Sequence, residues 1–186
     1  MYRPILLLTG GSGMVGRNVL EHSKAQYWDI VAPTSKELDL TNSGSVDAFV
    51  MRCRPEIIVH AAGHVGGIQA NIANPVTFLE RNSMIGRNII MAGYSAGVRR
   101  FINLASTCMY PRSAKNPFHE DMILTGELET TNEGYALAKI MATRLCQYIR
   151  REDPTIHYKT IIPCNLFGRY DKFEANNSHL LPAIIS

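Results

Sequence analysis

The sequence lacks long hydrophobic runs, dense cysteines and concentrated blocks of charge. Its apolar stretches fall short of the ~20 residues that a membrane-spanning helix needs, so no membrane partner is predicted. Four cysteines without a CxxC spacing argue against a disulfide framework or a structural metal site. Basic residues are too scattered for a nucleic-acid-binding stripe, and the formal net charge is only +3. A soluble protein of the reducing cytoplasm is therefore expected.

What the sequence does contain is an alternation of short apolar runs with helical patterns. A content of 46% hydrophobic and 19% charged residues suits one globular domain with a sizeable core. The patterns predict strands at 5–8, 29–32, 57–60, 101–105 and 157–162, and helices at 14–23, 43–51, 77–96 and 133–151. This order predicts an α/β fold, a Rossmann-like doubly wound parallel sheet with helices on both faces.

A glycine-rich turn joins the first predicted strand to the first predicted helix. Gly10 permits a tight exit from the strand, Gly13 lets a pyrophosphate approach the backbone, and Gly16 lets the helix pack closely on the sheet. Backbone N–H groups and a positive helix end favour the anion. The turn alone is also compatible with an ordinary loop. It adds three further predicted cofactor contacts, which are Ser12, Met14 and Val15.

The segment after the second predicted strand bears on the choice of nicotinamide cofactor. Residues 32–36 read Ala-Pro-Thr-Ser-Lys, without the carboxylate that usually holds the ribose 2′-hydroxyl of NAD. Lys36, Ser35, Ser12 and Arg17 are candidates to meet a 2′-phosphate, although each is also compatible with a solvated surface position. The sequence therefore favours NADP over NAD.

A tyrosine and a lysine four residues apart form a candidate catalytic pair. Tyr135 and Lys139 leave one face of the predicted helix 133–151, and a nearby ammonium group is expected to favour the phenolate. Ser106 follows the predicted strand 101–105, where its hydroxyl can hydrogen-bond a reacting carbonyl oxygen. Taken singly, these residues also fit an amphipathic helix and a strand-end cap.

These motifs, in this order, resemble the extended short-chain dehydrogenase/reductase family, whose members act on nucleotide sugars. Longer segments are similar to those of the GDP-L-fucose synthases within that family. They are Gly-Met-Val-Gly at 13–16, Val-Gly-Gly-Ile at 65–68, the segments 106–111 and 131–139, and Asn-Ser-His-Leu-Leu-Pro at 177–182.

The resemblance implies NADPH-dependent epimerisation and reduction of GDP-4-keto-6-deoxy-D-mannose to GDP-L-fucose. It assigns proton transfer at C3 and C5 to Cys108 and His179, and protonation at C4 to Tyr135. Further implied cofactor contacts are Ala61, Ala62, Gly63, Leu104, Ala105, Tyr135, Lys139, Pro163, Asn165, Leu166 and His179. Implied substrate contacts are Val65, Gly66, Ser106, Thr107, Cys108, Tyr135, Asn165 and His179.

The resemblance also sets expectations for the domain plan and the assembly. Residues 1–186 are expected to form one NADP-binding domain that carries the catalytic residues, with about 165–186 beginning an incomplete substrate-binding region. A homodimer is expected to form through a four-helix contact of helices 77–96 and 133–151. Two alternatives stay open: a non-catalytic NADP-binding module, and another nucleotide-sugar epimerase or dehydratase. Dehydration would require an acidic residue where Thr107 and Cys108 stand.

Overall fold

Five apolar segments form one parallel sheet. The computed structural model describes residues 2–171. The strands are β1 (Ile5–Thr9), β2 (Asp29–Val31), β3 (Ile57–His60), β4 (Arg100–Leu104) and β5 (His157–Ile161). Every neighbouring pair is parallel, and the strand order is β2-β1-β3-β4-β5. The chain adds β2 on one side of β1 and then β3 to β5 on the other side, so the strand order switches between β1 and β3. Ligands of such sheets bind in the crevice at the carboxyl ends of the strands at this switch point.

Five α-helices connect these strands. They are α1 (Met14–Glu21), α2 (Ser43–Cys53), α3 (Ile68–Ala73), α4 (Pro75–Ser95) and α5 (Glu133–Glu152). Because crossovers are right-handed, α1 is placed on the face opposite to α2, α4 and α5. These elements confirm the predicted doubly wound α/β fold of Rossmann type.

Helices α4 and α5 lie side by side because small residues line their contact. A Cβ added to Gly86 of α4 would lie 3.2 Å from the Cβ of Ala142, and one added to Gly134 would lie 2.9 Å from the carbonyl oxygen of Pro75. The buried face of α4 includes Ile85, Ile89 and Ala92, as its helical spacing predicts. The α5 face is likewise buried at Ala138, Ala142 and Ile149.

Some element boundaries differ from the sequence-based prediction. Helix α1 ends at Glu21, and a 3₁₀ helix follows at Ser23–Tyr27. Helix α4 begins earlier, at Pro75, because proline is favoured in a first helical turn. Helix α3 is absent from the prediction because it is short and because its isoleucines, Ile68 and Ile72, are exposed, which leaves no buried periodicity to detect.

The main core lies between the sheet and helices α2, α4 and α5. One side chain from each of four strands forms a row across the sheet, which we call the apolar row: Leu7, Ile58, Phe101 and Tyr158. A second, smaller cluster joins the end of β4 to α5 through the connecting stretch 110–132. Its buried members are Ala105, Met109, Tyr110, Ile123, Leu128, Ala136 and Ile140.

None of the helices within residues 2–171 combines the length and the apolar character that crossing a membrane requires. Across the same described residues, no three His, Cys, Asp or Glu side chains are grouped closely enough to hold a metal ion.

Candidate active site

The glycine-rich turn lies at the point where the strand order reverses. Gly10 has a φ of +78°, and a Cβ there would lie 2.7 Å from the backbone of Ala61 and Ala62 at the end of β3. A Cβ on Gly16 would lie 2.2 Å from the carbonyl oxygen of Gly10. Both positions therefore require glycine for the fold itself. At Gly13 the nearest atom to an added Cβ is 3.4 Å away, so the protein alone places a weaker demand there.

The amino end of α1 has the features of an anion site. Its N-cap is Gly13, which supplies no side-chain capping bond, and its first turn carries no acidic residue. Backbone N–H groups at such an end are free to bind an anion, and the helix dipole favours negative charge. Ser12 and Gly13 are exposed, whereas Met14 and Val15 are partly buried. This arrangement fits the pyrophosphate of a dinucleotide.

A short turn after β4 carries the predicted serine and cysteine. Residues Thr107–Met109 form a 3₁₀ helix whose N-cap is Ser106, and the Ser106 Oγ accepts a hydrogen bond from the Cys108 N–H at 3.4 Å. Ser106, Thr107 and Cys108 are partly buried. Met109 is fully buried and its sulfur accepts a 3.6 Å bond from the Thr143 hydroxyl, which fixes the turn on α5.

Tyr135 and Lys139 leave α5 beside this turn. The Lys139 Nζ lies 5.6 Å from the centre of the Tyr135 ring and donates a 2.9 Å hydrogen bond to the carbonyl oxygen of Leu104. Lys139 is almost completely buried, and its charge acts on Cys108 and His60. The turn after β4 and the first turns of α5 thus bring four predicted catalytic residues together: Ser106, Cys108, Tyr135 and Lys139.

Burial dominates the acid–base properties of the four-residue group. Desolvation lowers the pKa of Lys139 from 10.5 to about 8. It also raises the pKa of Cys108, which the Ser106 hydrogen bond and the Lys139 charge partly oppose. Burial raises the pKa of Tyr135 too, and Cys108 raises it further. Lys139 was expected to lower the Tyr135 pKa, but the net direction is upward because burial and Cys108 both raise it.

The other predicted cofactor residues lie along the carboxyl edge of the sheet. Ala61, Ala62 and Gly63 follow β3, and all three are partly buried. Leu104 ends β4, and the Ala105 N–H donates to the carbonyl oxygen of Ile161 in β5. Beyond β5, Pro163 is partly buried, whereas Asn165 and Leu166 are exposed. No contact in the structure tests their assigned role, which stays a prediction.

The candidates for a 2′-phosphate are not equally available. Ser12, Ser35 and Lys36 are exposed near the glycine turn and the end of β2. Arg17 instead packs on an aromatic ring, with its guanidinium carbon 3.7 Å from the centre of Tyr170. A cation–π contact of this kind makes the Arg17 guanidinium less available to bind a 2′-phosphate.

A row of polar side chains beneath the site, three of them buried and one partly buried, was not identified from the sequence. Thr9, His60, Asn103 and Thr160 stand in register on four adjacent strands, and we call them the polar row. The Thr9 Oγ1 and His60 Nδ1 lie 2.7 Å apart, and the Asn103 Nδ2 donates to the Thr160 Oγ1 at 3.3 Å. Burial and the Lys139 charge lower the pKa of His60 to about 3, so its imidazole is neutral.

Two buried asparagines, Asn71 and Asn82, also escaped prediction. They hydrogen-bond the loop that begins at Gly63, next to Lys139. A signal existed for Asn82, since its spacing from Phe78 and Ile85 puts an amide on the buried face of α4. His179 and the similar segment 177–182 lie outside the described residues.

Comparison with known proteins gives a consistent result. A model of the NAD dependent epimerase/dehydratase family matches residues 6–186. The chain is 53% identical over 180 residues to the GDP-L-colitose synthase of Yersinia pseudotuberculosis, covering 97% of this chain and 58% of that protein. It is 49% identical over 180 residues to the GDP-L-fucose synthase of Azorhizobium caulinodans, covering 97% and 57% respectively.

Solved structures agree with these similarities. A GDP-mannoheptose C4 reductase from Campylobacter jejuni with NADP bound superposes with a TM-score of 0.91 at 28% identity, covering 100% of this chain and 55% of that one. A GDP-L-fucose synthetase from Naegleria fowleri bound to NADP gives 0.87 at 29% identity, covering 98% and 60%. The chain thus spans less than two thirds of the length of these relatives. On the match of the family model to nearly its whole length, the chain belongs to the NAD dependent epimerase/dehydratase family.

Proposed function

We propose that the chain carries the catalytic residues of an NADPH-dependent enzyme that epimerises C3 and C5 of GDP-4-keto-6-deoxy-D-mannose and reduces C4, giving GDP-L-fucose. The observation that carries this proposal is the grouping of Ser106, Cys108, Tyr135 and Lys139 at the edge of the sheet that also bears the glycine turn. The names of the relatives, a GDP-L-colitose synthase and a GDP-L-fucose synthase, support synthesis of a GDP-linked L-sugar.

The glycine turn and the amino end of α1 would hold the pyrophosphate of NADPH. Ser12, Ser35 and Lys36 would face its 2′-phosphate, and Lys139 would lie near its ribose. When bound, the cofactor supplies the hydride for reduction at C4. NADP-bound relatives from Campylobacter jejuni and Naegleria fowleri support this choice of cofactor.

The proton chemistry follows from the four-residue group. A 4-keto group acidifies the C–H bonds at C3 and C5, so a thiolate at Cys108 can remove a proton there. Burial raises the pKa of Cys108, and the Ser106 hydrogen bond and the charged Lys139 partly oppose that rise, so these two groups would assist formation of the thiolate. Ser106 would hydrogen-bond the 4-keto oxygen, and Tyr135, whose raised pKa keeps it protonated, would donate the proton to that oxygen. His179 is the proposed second acid–base group.

A second candidate product is GDP-L-colitose. The relative that makes it shares 53% identity with this chain, against 49% for the GDP-L-fucose synthase of Azorhizobium caulinodans. Colitose is the sugar that lacks the 3-hydroxyl of fucose, so the two candidates differ at one carbon of the substrate.

The test measures NADPH oxidation in D₂O with GDP-4-keto-6-deoxy-D-mannose and, separately, with its 3-deoxy counterpart. NADPH binding is measured alongside by titration. Turnover with two deuterons, one each at C3 and C5, supports the fucose assignment. We expect Tyr135→Phe to lower kcat about 10²-fold or more, because it removes the proton donor. Tyr148→Phe, an exposed tyrosine of the same helix, is the matched control and should keep full activity.

The outcomes separate the alternatives. Preference for the 3-deoxy substrate supports the colitose assignment. NADPH binding without turnover of either sugar would contradict the enzyme proposal and support a non-catalytic NADP-binding module. Loss of deuterium incorporation in Cys108→Ser, but not in Cys53→Ser, would support the thiol as the base.

We also propose that the assembled protein is a homodimer formed by α4 and α5. Leu79 of α4 and Leu137 and Met141 of α5 are exposed apolar side chains on this helix pair. Light scattering that gives a monomer at micromolar concentration would contradict the proposal.

A further inference from the structure

The loop 63–67 runs along one side of the four-residue group. A Cβ added to Gly63 would lie 3.3 Å from the Asn82 Oδ1 and 3.8 Å from both the Lys139 Nζ and the Val65 Cγ1. Val65 is 61% exposed, although it lies on the same loop as Gly63, which is next to the buried Lys139. The loop therefore forms a wall of the site and presents an apolar side chain to open space.

Asn71 holds the far end of this loop. Its Nδ2 donates to the carbonyl oxygens of both Gly66 and Gly67, each at 3.0 Å. A Cβ on Gly66 would lie 3.0 Å from the Phe78 ring, so the backbone rests directly on that side chain. The two hydrogen bonds and the ring fix the loop from below.

Asn82 holds the near end. Its Oδ1 accepts from the His64 N–H at 2.8 Å, and its Nδ2 donates to the His64 carbonyl at 3.0 Å and to the Phe78 carbonyl at 2.8 Å. The His64 and Phe78 rings are in contact, with centres 4.7 Å apart. Because Asn82 also lies near Gly63, its contacts belong to the side of the loop that faces Lys139.

The buried Asn71 amide combines two hydrogen bonds to the loop with one unfavourable feature. It is only 7% exposed, and its Oδ1 has no hydrogen-bond partner among the described residues. A buried unpaired acceptor is unfavourable, and an apolar residue of similar shape would remove it only together with the donor to the Gly66 and Gly67 carbonyls. The Asn71 amide therefore stabilises the loop through its two hydrogen bonds to Gly66 and Gly67.

We propose that Asn71 is a positioning residue for the sugar-nucleotide substrate, because it fixes the Val65–Gly67 backbone, and that Asn82 positions the loop on its cofactor side. The inference rests on the proposed function, since the substrate is the sugar nucleotide named there. It predicts a division of labour: Asn71 affects sugar-nucleotide affinity alone, whereas Asn82 affects both ligands.

The experiment compares Asn71→Leu and Asn71→Ala with the same substitutions at Asn74 in the full chain. Asn74 is the matched control because its Nδ2 donates to the Ala70 carbonyl of its own segment. The first readout is amide hydrogen exchange of residues 63–71, which should become about tenfold faster in the Asn71 variants, since two hydrogen bonds are lost. This readout requires no bound ligand.

The second readout is the Kd for GDP-L-fucose and for NADPH. We expect the Asn71 variants to bind GDP-L-fucose about tenfold more weakly and NADPH within about twofold of the parent. Weakening of both Kd values for Asn71→Ala as well as Asn71→Leu would overturn the proposal, as would unchanged exchange in residues 63–71. If the parent binds NADPH but no GDP-sugar, the proposed function fails; faster exchange would then leave Asn71 a structural clamp and overturn its substrate role.

Discussion

The apolar row and the polar row occupy the same face of the same four strands, two residues apart. The apolar row, Leu7, Ile58, Phe101 and Tyr158, is almost completely buried under α2, α4 and α5. Each member of the polar row lies two positions further along its strand, so its side chain points to the same face. Backbone geometry is thus the same for both rows, and only the side chains differ.

The difference shows where this sheet stabilises the fold and where it serves the site. Side chains of the apolar row stack on one another, as Phe101 and Tyr158 do with ring centres 5.1 Å apart. In the polar row, the Asn103 Oδ1 has no hydrogen-bond partner among the described residues, which is unfavourable in a core, and burial makes protonation of His60 unfavourable. The polar row lies at the strand ends, next to Lys139 and the glycine turn, where ligands of this fold bind.

Truncating the apolar row should have the largest effect on stability. Phe101→Ala removes a fully buried ring and leaves a cavity, so the free energy of unfolding should fall by about 3–5 kcal/mol. Urea unfolding measures this change. Phe167→Ala, at an exposed ring, is the control and should change stability little. A loss below about 1 kcal/mol at Phe101 would contradict the role assigned to this row.

The charge on Lys139, beside the polar row, should have a smaller and pH-dependent effect. Its folded-state pKa of about 8 lies below its ordinary value of 10.5, so the unfolded chain binds more protons between these two pH values. The destabilisation is therefore full below pH 8 and disappears as the pH rises towards 10.5. Relative to Lys139→Met, the parent should gain roughly 2 kcal/mol between pH 7 and pH 10.

Chemical unfolding at several pH values measures this gain. Lys159→Met, at an exposed lysine of β5, is the control and should show no comparable pH dependence. A parent-minus-variant difference at Lys139 that stays constant from pH 7 to pH 10 would contradict the lowered pKa.

Replacing a member of the polar row should have the smallest effect. Asn103→Val removes one 3.3 Å hydrogen bond to Thr160 together with the unpaired acceptor, so the two changes oppose each other. We expect the free energy of unfolding to change by less than about 1 kcal/mol. A thermal-melt loss equivalent to more than about 2 kcal/mol would place this row with the apolar row as a stabilising element.

Most of the fold was predictable because its buried faces repeat regularly. The prediction for β3 matches its observed range, Ile57–His60, and the other strands differ by one residue at their ends. Helices α4 and α5 were found from periodic apolar positions. Helix α3 was missed because a short helix with exposed isoleucines has no such period.

Parts of the site were predictable and parts were not, for a physical reason. Ser106, Cys108, Tyr135 and Lys139 are close because β4 ends beside the first turns of α5, and sequence motifs marked each of them. The Tyr135 pKa was misjudged because burial depends on packing that spacing does not reveal. Asn82 and the polar row were not predicted because they have hydrogen-bond partners distant in the chain. Asn71 bonds the nearby Gly66 and Gly67, but it lies in the short helix α3, which has no buried periodicity to detect.

The second hydrophobic cluster holds together the two segments that carry the predicted catalytic residues. It joins Ala105 and Met109, on either side of Ser106 and Cys108, to Ala136 and Ile140, which flank Lys139 on α5. The Ser106–Cys108 turn and the Tyr135–Lys139 turn of α5 are therefore attached to the same small cluster. A local opening of that cluster would separate Ser106 and Cys108 from Tyr135 and Lys139 in a single event.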